Sequence, residues 1–296
     1  MPECVLITGG AGFIGRHLSA ELLRRGYRVR VLDSLIEQVH GADTGGAGGL
    51  PREVEFQRGD VRDGEAVRRA LRGIDRVVHL AAEVGVGQSM YAIERYVGVN
   101  DGGTAVLFDA LVRSPVRRVV VASSMSIYGE GLYRTRDGRI LNSVERKTGG
   151  NGWDPVDEDG AALMPVPTPE TKQPALASVY ALTKYAQERL TLIVAPAYGM
   201  EGVALRLFNV FGPGQALSNP YTGVFAIFAS RLLNGQRPLV FEDGQQRPCH
   251  VSPDEACTPG HQDPAAHGSL CLLASLTSTN GPWQGPLKIQ LKSGTH

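Results

Sequence analysis

No apolar run in this chain approaches the roughly 18 residues a membrane-spanning helix needs, so no helical membrane anchor and no membrane partner is expected. The opening Met1-Pro2-Glu3 also lacks the basic stretch and long apolar core of a secretory leader. Charge of one sign is missing too. Thirty basic residues balance thirty acidic ones, leaving no global field to draw in nucleic acid. Cysteine is scarce: Cys4, Cys249, Cys257 and Cys271 are too few and too unevenly spaced for a disulfide framework. These absences predict a soluble, cytoplasmic enzyme, and the 296 residues leave room for about two domains.

What is present is glycine in one telling place. Cys4-Val5-Leu6-Ile7-Thr8 reads as a short strand buried on both faces. Gly9-Gly10-Ala11-Gly12-Phe13-Ile14-Gly15 follows at once, and Phe13, Ile14, Leu18, Leu22 and Leu23 recur at helical spacing until Gly26. Residues 27–32 read as a second strand, closed by Asp33, 18 positions after Gly15. In such a βαβ unit the glycines let backbone approach a pyrophosphate. The helix N-terminus offers unpaired N–H groups, and the acid can bind ribose hydroxyls. A carboxylate at Asp33 would repel a 2′-phosphate, so NAD is expected rather than NADP. A glycine turn serving only a tight strand–helix corner is the plainer alternative.

The rhythm then repeats. Strand-like runs lead to Gly59-Asp60-Val61, Ala81-Ala82 and Ser123-Ser124, with helical stretches over 65–72 and 91–113. Alternating strands and helices predict an α/β fold, a Rossmann doubly wound parallel sheet. Ligands collect at the carboxyl ends of such strands, where Asp60, Ala81, Ala82, Ser123 and Ser124 fall. His79, inside an apolar strand, reads as a core histidine, and 41–49 reads as a surface loop without chemistry.

Further on, Tyr180-Ala-Leu-Thr-Lys184 puts a phenol and an ammonium one helical turn apart on one face. A free tyrosine titrates near 10, so it is a poor base at neutral pH unless a cation stabilises its phenolate. An ordinary amphipathic pair at a helix start is the plainer alternative here.

With these stretches in order, joined by Asn100-Asp101-Gly102-Gly103-Thr104, Ser123-Ser124-Met125-Ser126-Ile127-Tyr128-Gly129 and Leu205-Arg206-Leu207-Phe208-Asn209-Val210-Phe211-Gly212-Pro213-Gly214, the chain resembles the extended short-chain dehydrogenase/reductases. Within them it is most similar to the nucleotide-sugar epimerases and dehydratases. The resemblance implies Tyr180 as acid/base, Lys184 as the lysine that binds nicotinamide ribose and lowers the tyrosine pKa, and Ser124 as hydrogen-bond partner of the reacting sugar oxygen. It implies dinucleotide contacts at Gly9, Gly12, Phe13, Ile14, Gly15, Asp33, Ser34, Asp60, Val61, Leu80, Ala81, Ala82, Asn100 and Ser123, besides Tyr180 and Lys184. Asn209 and Arg247 are implied to hold the sugar-nucleotide diphosphate, and Ser126 lies beside Ser124 among the substrate positions. Gln88, Ser89 and Gln215 are candidate sugar contacts, or else loop hydrogen-bonding residues. No metal is expected, and a homodimer through 98–113 and 180–194 is implied.

The reaction implied is 4-epimerisation through a transient 4-keto sugar. Dehydratases of this family carry an Asp-Glu pair where this chain has Met125 and Ser126, which argues against dehydration. The loops 83–89, 128–180 and 214–221 look most like the dTDP-L-rhamnose 4-epimerase branch, beside the UDP-glucose 4-epimerase type. The long span 128–180 is expected to cap the sugar or, failing that, to be a generic surface insertion.

The expected division is a dinucleotide domain over 1–165, completed by 175–212, and a smaller, incomplete substrate lobe over 213–247. From Pro248 the composition shifts. These last 49 residues hold five acidic or basic side chains, yet three of the four cysteines and four of the seven histidines. They read as a poorly ordered tail of different origin. The C-x7-C interval of Cys249 and Cys257, with His261 and His267, is too wide for a zinc knuckle. A tail of this kind keeps a second class open: a dinucleotide-binding chain without turnover.

Overall fold

The computed structural model describes residues 2–41, 49–144, 155–216, 224–238 and 250–251. The first half alternates strand and helix: β1 (Cys4–Thr8), α1 (Phe13–Arg24), β2 (Arg28–Asp33), the single turn α2 (Glu37–His40), β3 (Glu55–Arg58), α3 (Gly64–Ala70) and β4 (Arg76–His79). Two short turns, α4 (Val86–Ser89) and α5 (Ile93–Tyr96), then lead through a π-helical turn, Val97–Gly102, into α6 (Gly103–Arg113) and β5 (Arg118–Ser124). Beyond lie β6 (Leu132–Arg134), β7 (Ile140–Leu141), β8 (Met164–Val166), α7 (Val179–Ala197), β9 (Glu201–Leu207), β10 (Asn209–Val210), α8 (Val224–Leu233) and β11 (His250–Val251).

Six parallel strands form one sheet in the order β3-β2-β1-β4-β5-β9. The chain builds outward from β1 on one side, then returns to lay β4 along β1 on the other. That reversal opens a crevice at the carboxyl ends of β1 and β4, where doubly wound sheets bind ligands. The expected Rossmann sheet is therefore the one observed.

Every residue of β1 and of β5 is buried, which is why both read as unbroken apolar runs. Alternation along the strands divides the core into two layers. Leu6, Leu32, Val77 and Val119 pack toward Val67, Leu107 and Leu111 of α3 and α6. Val5, Ile7, Val29, Val31, Val78 and Val120 pack toward Leu18 and Leu22 of α1 on the other face. Helix starts follow local chemistry. Asp63 accepts from the amides of Glu65 and Ala66 to cap α3, and Ser178 accepts from Ala181 N to cap α7.

The stretch 91–113 is helical from Ile93 to Arg113, with the π-helical turn joining α5 to α6. Gly103 opens α6 so close to the loop after β3 that a Cβ there would lie 2.6 Å from Val61 Cγ2. The long span 128–180 carries the antiparallel sheet β7-β6-β8 and a bridge between Val156 and Ala162.

Candidate active site

A cavity of about 500 Å³ occupies the crevice. Its floor is the glycine turn. Gly9 adopts a left-handed φ of +69°, and a Cβ there would lie 2.6 Å from the backbone nitrogen of Ala81. A Cβ on Gly15 would sit 2.4 Å from Gly10 Cα. Larger residues are excluded from both positions by backbone, which cannot swing aside. Gly12 caps α1 without any side-chain hydrogen bond, so the positive end of the helix is offered to the cavity.

Asp33 ends β2 at the cavity wall, and its carboxylate is already engaged. Oδ2 accepts from Ala11 N at 3.0 Å and Oδ1 from Leu35 N at 2.9 Å, with His40 Nε2 3.6 Å away. The acid thus shapes the glycine turn that it also faces. Asp60 lines the same wall. Arg62 grips it through three bonds of 2.7 to 3.0 Å, and those bonds hold its carboxyl below the usual range. Ser34, Val61, Leu80, Ala81 and Ala82 complete this end with Phe13 and Ile14.

At the other end α7 lies along β5 and β9. Ser123, Ser124 and Ser126 face the cavity from β5 and the turn after it, Tyr180 and Lys184 from α7. Tyr180 is partly exposed and lines the cavity. Burial pushes its pKa up, while a hydrogen bond with Ser124 pulls it down. Ser124 Oγ also accepts from Ser126 N at 3.1 Å and from Ser126 Oγ at 2.9 Å. Lys184 is buried, and burial lowers its pKa to about 7. Its ammonium donates to Ala122 O at 3.1 Å and Gln187 Oε1 at 2.9 Å. His79 sits in the core as expected, 1% exposed and bonded to Thr8 at 2.7 Å and Thr104 at 2.9 Å.

Three candidates fall outside the cavity lining, and each has a structural occupation. Asn100 is fully buried; its amide holds Glu83 N, Glu83 O and Thr183 Oγ1 at 2.7, 3.1 and 3.0 Å. Gln88 bonds Gln38 and accepts from the Tyr96 hydroxyl at 3.2 Å. Ser89 accepts from the backbone nitrogen of Tyr180 at 3.0 Å and so sets where that residue begins its helix. Gln88 and Ser89 thus carry hydrogen bonds within the fold. Asn209 and Gln215 do line the cavity, on a segment fastened to α1 by Arg16 to Gly214 O at 2.5 Å and His17 to Pro213 O at 3.0 Å. Arg247, the tail beyond it and the loop 42–48 lie outside the described residues. Among 129–178, no described residue lines the cavity.

Sequence reasoning missed Glu83, Arg16 and Arg62, all at the cavity. Glu83 is 5% exposed and paired with Arg95 at 2.7 Å. Its place just beyond Ala81-Ala82, at a strand's carboxyl end, was the available signal. Among the described residues no cluster of three or more His, Cys, Asp or Glu could hold a metal ion, and no helix is long and apolar enough to cross a membrane.

Comparison with known proteins matches the NAD dependent epimerase/dehydratase family over residues 5–149 and 156–254. The chain belongs to that family. The match runs past Arg247, where the family pattern was expected to break, to residue 254. A dTDP-L-rhamnose 4-epimerase of Burkholderia thailandensis is 37% identical over 256 residues, covering 85% of this chain and 70% of that relative. Among solved structures, the UDP-glucose 4-epimerase of Thermotoga maritima with UDP-glucose aligns with a TM-score of 0.68 at 29% identity, covering 86% of this chain and 70% of its own. The Thermus thermophilus UDP-glucose 4-epimerase in complex with NAD aligns with a TM-score of 0.60 at 34% identity, over 79% of this chain and 63% of that one.

The residues present fit the cofactor of this epimerase/dehydratase family. Two glycines leave a cradle that any Cβ would fill, a helix N-terminus without a side-chain cap faces it, and an acid closes the neighbouring strand. The cradle would hold the pyrophosphate and Asp33 the adenosine ribose, with Lys184 at the nicotinamide end.

Proposed function

We propose that this chain is an NAD-dependent nucleotide-sugar 4-epimerase, with Tyr180, Lys184 and Ser124 as its catalytic residues. The observation that carries the reading is the reactive end of the crevice. One phenol, one ammonium and one serine hydroxyl converge on a cavity whose other end suits a dinucleotide.

NAD, when bound, supplies the hydride acceptor that lets the sugar C4 become a ketone and the donor that restores it. The chain's own residues handle the proton. Tyr180 as phenolate takes it from the C4 hydroxyl, and returns it when the keto sugar has presented its opposite face. Ser124 donates to the same sugar oxygen and orients it. Lys184 keeps the phenolate accessible by placing a positive charge beside it. Asn209 and Gln215, facing the cavity on the segment after β9, suit the diphosphate and sugar hydroxyls. Arg247 and the lobe over 213–247 belong to the same reading as the nucleotide's further holders.

Dehydration would need a second acid and base beside Ser124. The neighbours there are Met125, a thioether, and Ser126, whose hydroxyl is spent on Ser124 Oγ at 2.9 Å. Neither titrates in a useful range, so neither can help to expel the C6 hydroxyl of the keto sugar. Epimerisation is the outcome left.

The reading includes a homodimer. Val86, Met90, Tyr91 and Ile93, on and beside α4 and α5, are each at least half exposed, as are Leu182 and Ile193 of α7. Apolar groups displayed on these segments suit a face buried against a second copy. Because nicotinamide dinucleotides and nucleotide sugars are intracellular metabolites, the reading also assigns the chain to the cytoplasm.

The test is direct. Purified protein is incubated separately with dTDP-L-rhamnose and UDP-glucose, and the sugar C4 configuration is followed by NMR. A C4 epimer on either substrate, with no net change in dinucleotide redox state, is expected. A 4-keto-6-deoxy product would favour dehydration instead. Bound NAD with no product on any nucleotide sugar would favour the chain as a dinucleotide-binding protein alone.

A further inference from the structure

Gln187 follows Lys184 by three residues on α7 and is fully buried. It does not line the cavity. Its side chain nevertheless touches the ammonium that does, with Oε1 2.9 Å from Lys184 Nζ. The orientation of this amide is fixed from both sides. Were it reversed, an NH2 group would face an ammonium, donor against donor. With the oxygen toward Lys184, Nε2 donates to Thr104 Oγ1 at 2.8 Å.

The protons behind it can be placed one by one. Thr104 Oγ1 lies 2.5 Å from Asn100 O, a distance that requires the threonine's single proton between the two oxygens. Thr104 is therefore only an acceptor toward its other neighbours, which are Gln187 Nε2 and, at 2.9 Å, His79 Nε2. That places the imidazole proton on Nε2 and leaves Nδ1 to accept from the Thr8 hydroxyl at 2.7 Å. His79 stays neutral, since burial and then the charge of Lys184 drive its pKa down to about 3. Thr8 is the last residue before the glycine turn. A chain of buried hydrogen bonds thus runs from the glycine turn, through β4 and α6, to the carbonyl that holds the lysine.

We infer that Gln187 is the positioning residue for Lys184: with Ala122 O it takes two of the three ammonium protons and leaves the third for the cavity, its own amide locked by Thr104. The inference rests on the proposed function only in taking Lys184 as the cation that stabilises the Tyr180 phenolate. The titratable group coupled to Lys184 is His79 from β4; Tyr180 lines the same cavity from α7, with Tyr96 of α5 packed edge-on to it at 6.4 Å. Glu188, next along the helix, is engaged by Arg206 at 2.7 Å and Ser123 at 2.7 Å. Without the Gln187 carbonyl the ammonium would lose a buried acceptor. The lysine would then release its proton more readily and the phenolate would form at higher pH.

The experiment is an ultraviolet titration of tyrosinate in NAD-loaded protein, with Tyr180→Phe protein as the blank that isolates the Tyr180 signal. Gln187→Met keeps length and apolar bulk but removes the acceptor. Its Tyr180 midpoint should rise by at least half a pH unit, about a threefold loss of phenolate at fixed pH. On a reactive sugar, kcat should fall about tenfold with KM unchanged, as for a lost bond to a charged group. Gln187→Glu puts a charged oxygen facing Lys184, and its midpoint should fall below the wild-type value. Unmoved midpoints in both variants overturn the inference, whatever happens to kcat or melting temperature. If Gln187→Met does not fold, the Gln187→Glu midpoint decides alone: a downward shift supports the role, and no shift overturns it. The titration needs no sugar, so an inert wild-type protein would count against the epimerase reading and not against this one.

Discussion

The two ends of the crevice are built on opposite principles. At the dinucleotide end the work is done by what is missing: Gly9 and Gly15 leave no room for a methyl group, and Gly12 leaves a helix end without a side-chain cap. At the reactive end it is done by side chains buried and paired to one another, Tyr180 with Ser124 and Lys184 with Gln187 and Ala122 O. Damage should follow the same division. The first end is hurt by adding atoms, the second by removing them.

The largest effect is expected at the reactive end. Tyr180→Phe deletes the phenol proposed to move the proton, and turnover should fall by roughly a hundredfold or more. Bound NAD should be retained, since the glycine cradle is untouched; loss of both together would break the division. Gly9→Ala is the counterpart. It forces a left-handed φ on alanine and drives its Cβ against the Ala81 backbone. Strain of this kind costs about 1–3 kcal/mol, so NAD should bind at least tenfold more weakly, read by isothermal calorimetry, with a lower melting temperature. Ser124→Ala comes third. It removes the hydroxyl that bonds Tyr180 and is proposed to orient substrate, and a loss of about tenfold in kcat is expected, as for a bond to a charged group. NAD affinity should not move.

The sequence made the first end far more legible than the second, and the reason is physical. A strand buried on both faces appears as an unbroken apolar run, and ligand chemistry lies where that run stops. Gly9, Asp33, Asp60, Ala81 and Ser124 could all be located that way. A cradle made of backbone needs no knowledge of which way a side chain points. The reactive end does. Asn100, Gln88 and Ser89 are polar residues near the right motifs, yet each turns inward to hold Glu83, Tyr96 or the Tyr180 backbone. Nothing in local spacing announces that choice; it is made when α5 and α7 pack. The π-helical turn adds a further shift, since a widened turn rotates every later residue relative to simple helical periodicity. Gln187 was invisible for the same reason. At the sequence level it is one more polar residue on a helix already marked by Tyr180 and Lys184.

The π-helical turn also contains the exception that tests how strict the pairing at the reactive end is. Asn100 has every amide atom bonded, whereas Oδ1 of its neighbour Asp101 is buried with no partner among the described residues. Burial raises the Asp101 carboxyl from 3.8 to about 6. The sign follows from proton binding. Between about pH 4 and 6 the folded state holds this proton more tightly than the unfolded one, so the group's contribution to stability falls as pH rises through that window. Above it the folded protein carries a poorly solvated carboxylate. At ~1.4 kcal/mol per pH unit the cost is at most ~3 kcal/mol, and because Asp101 is only partly buried, screening reduces it to about 1 kcal/mol. Asp101→Asn should therefore raise the melting temperature at pH 7.5 by about 2–4 °C and give no gain at pH 3.5, where the carboxyl is neutral in both states. An equal gain at both pH values would mean that shape or helix propensity, not charge, is responsible. A loss at pH 7.5 would mean that the carboxylate has a partner in the working protein, and that the pairing rule at this end of the crevice has no exception.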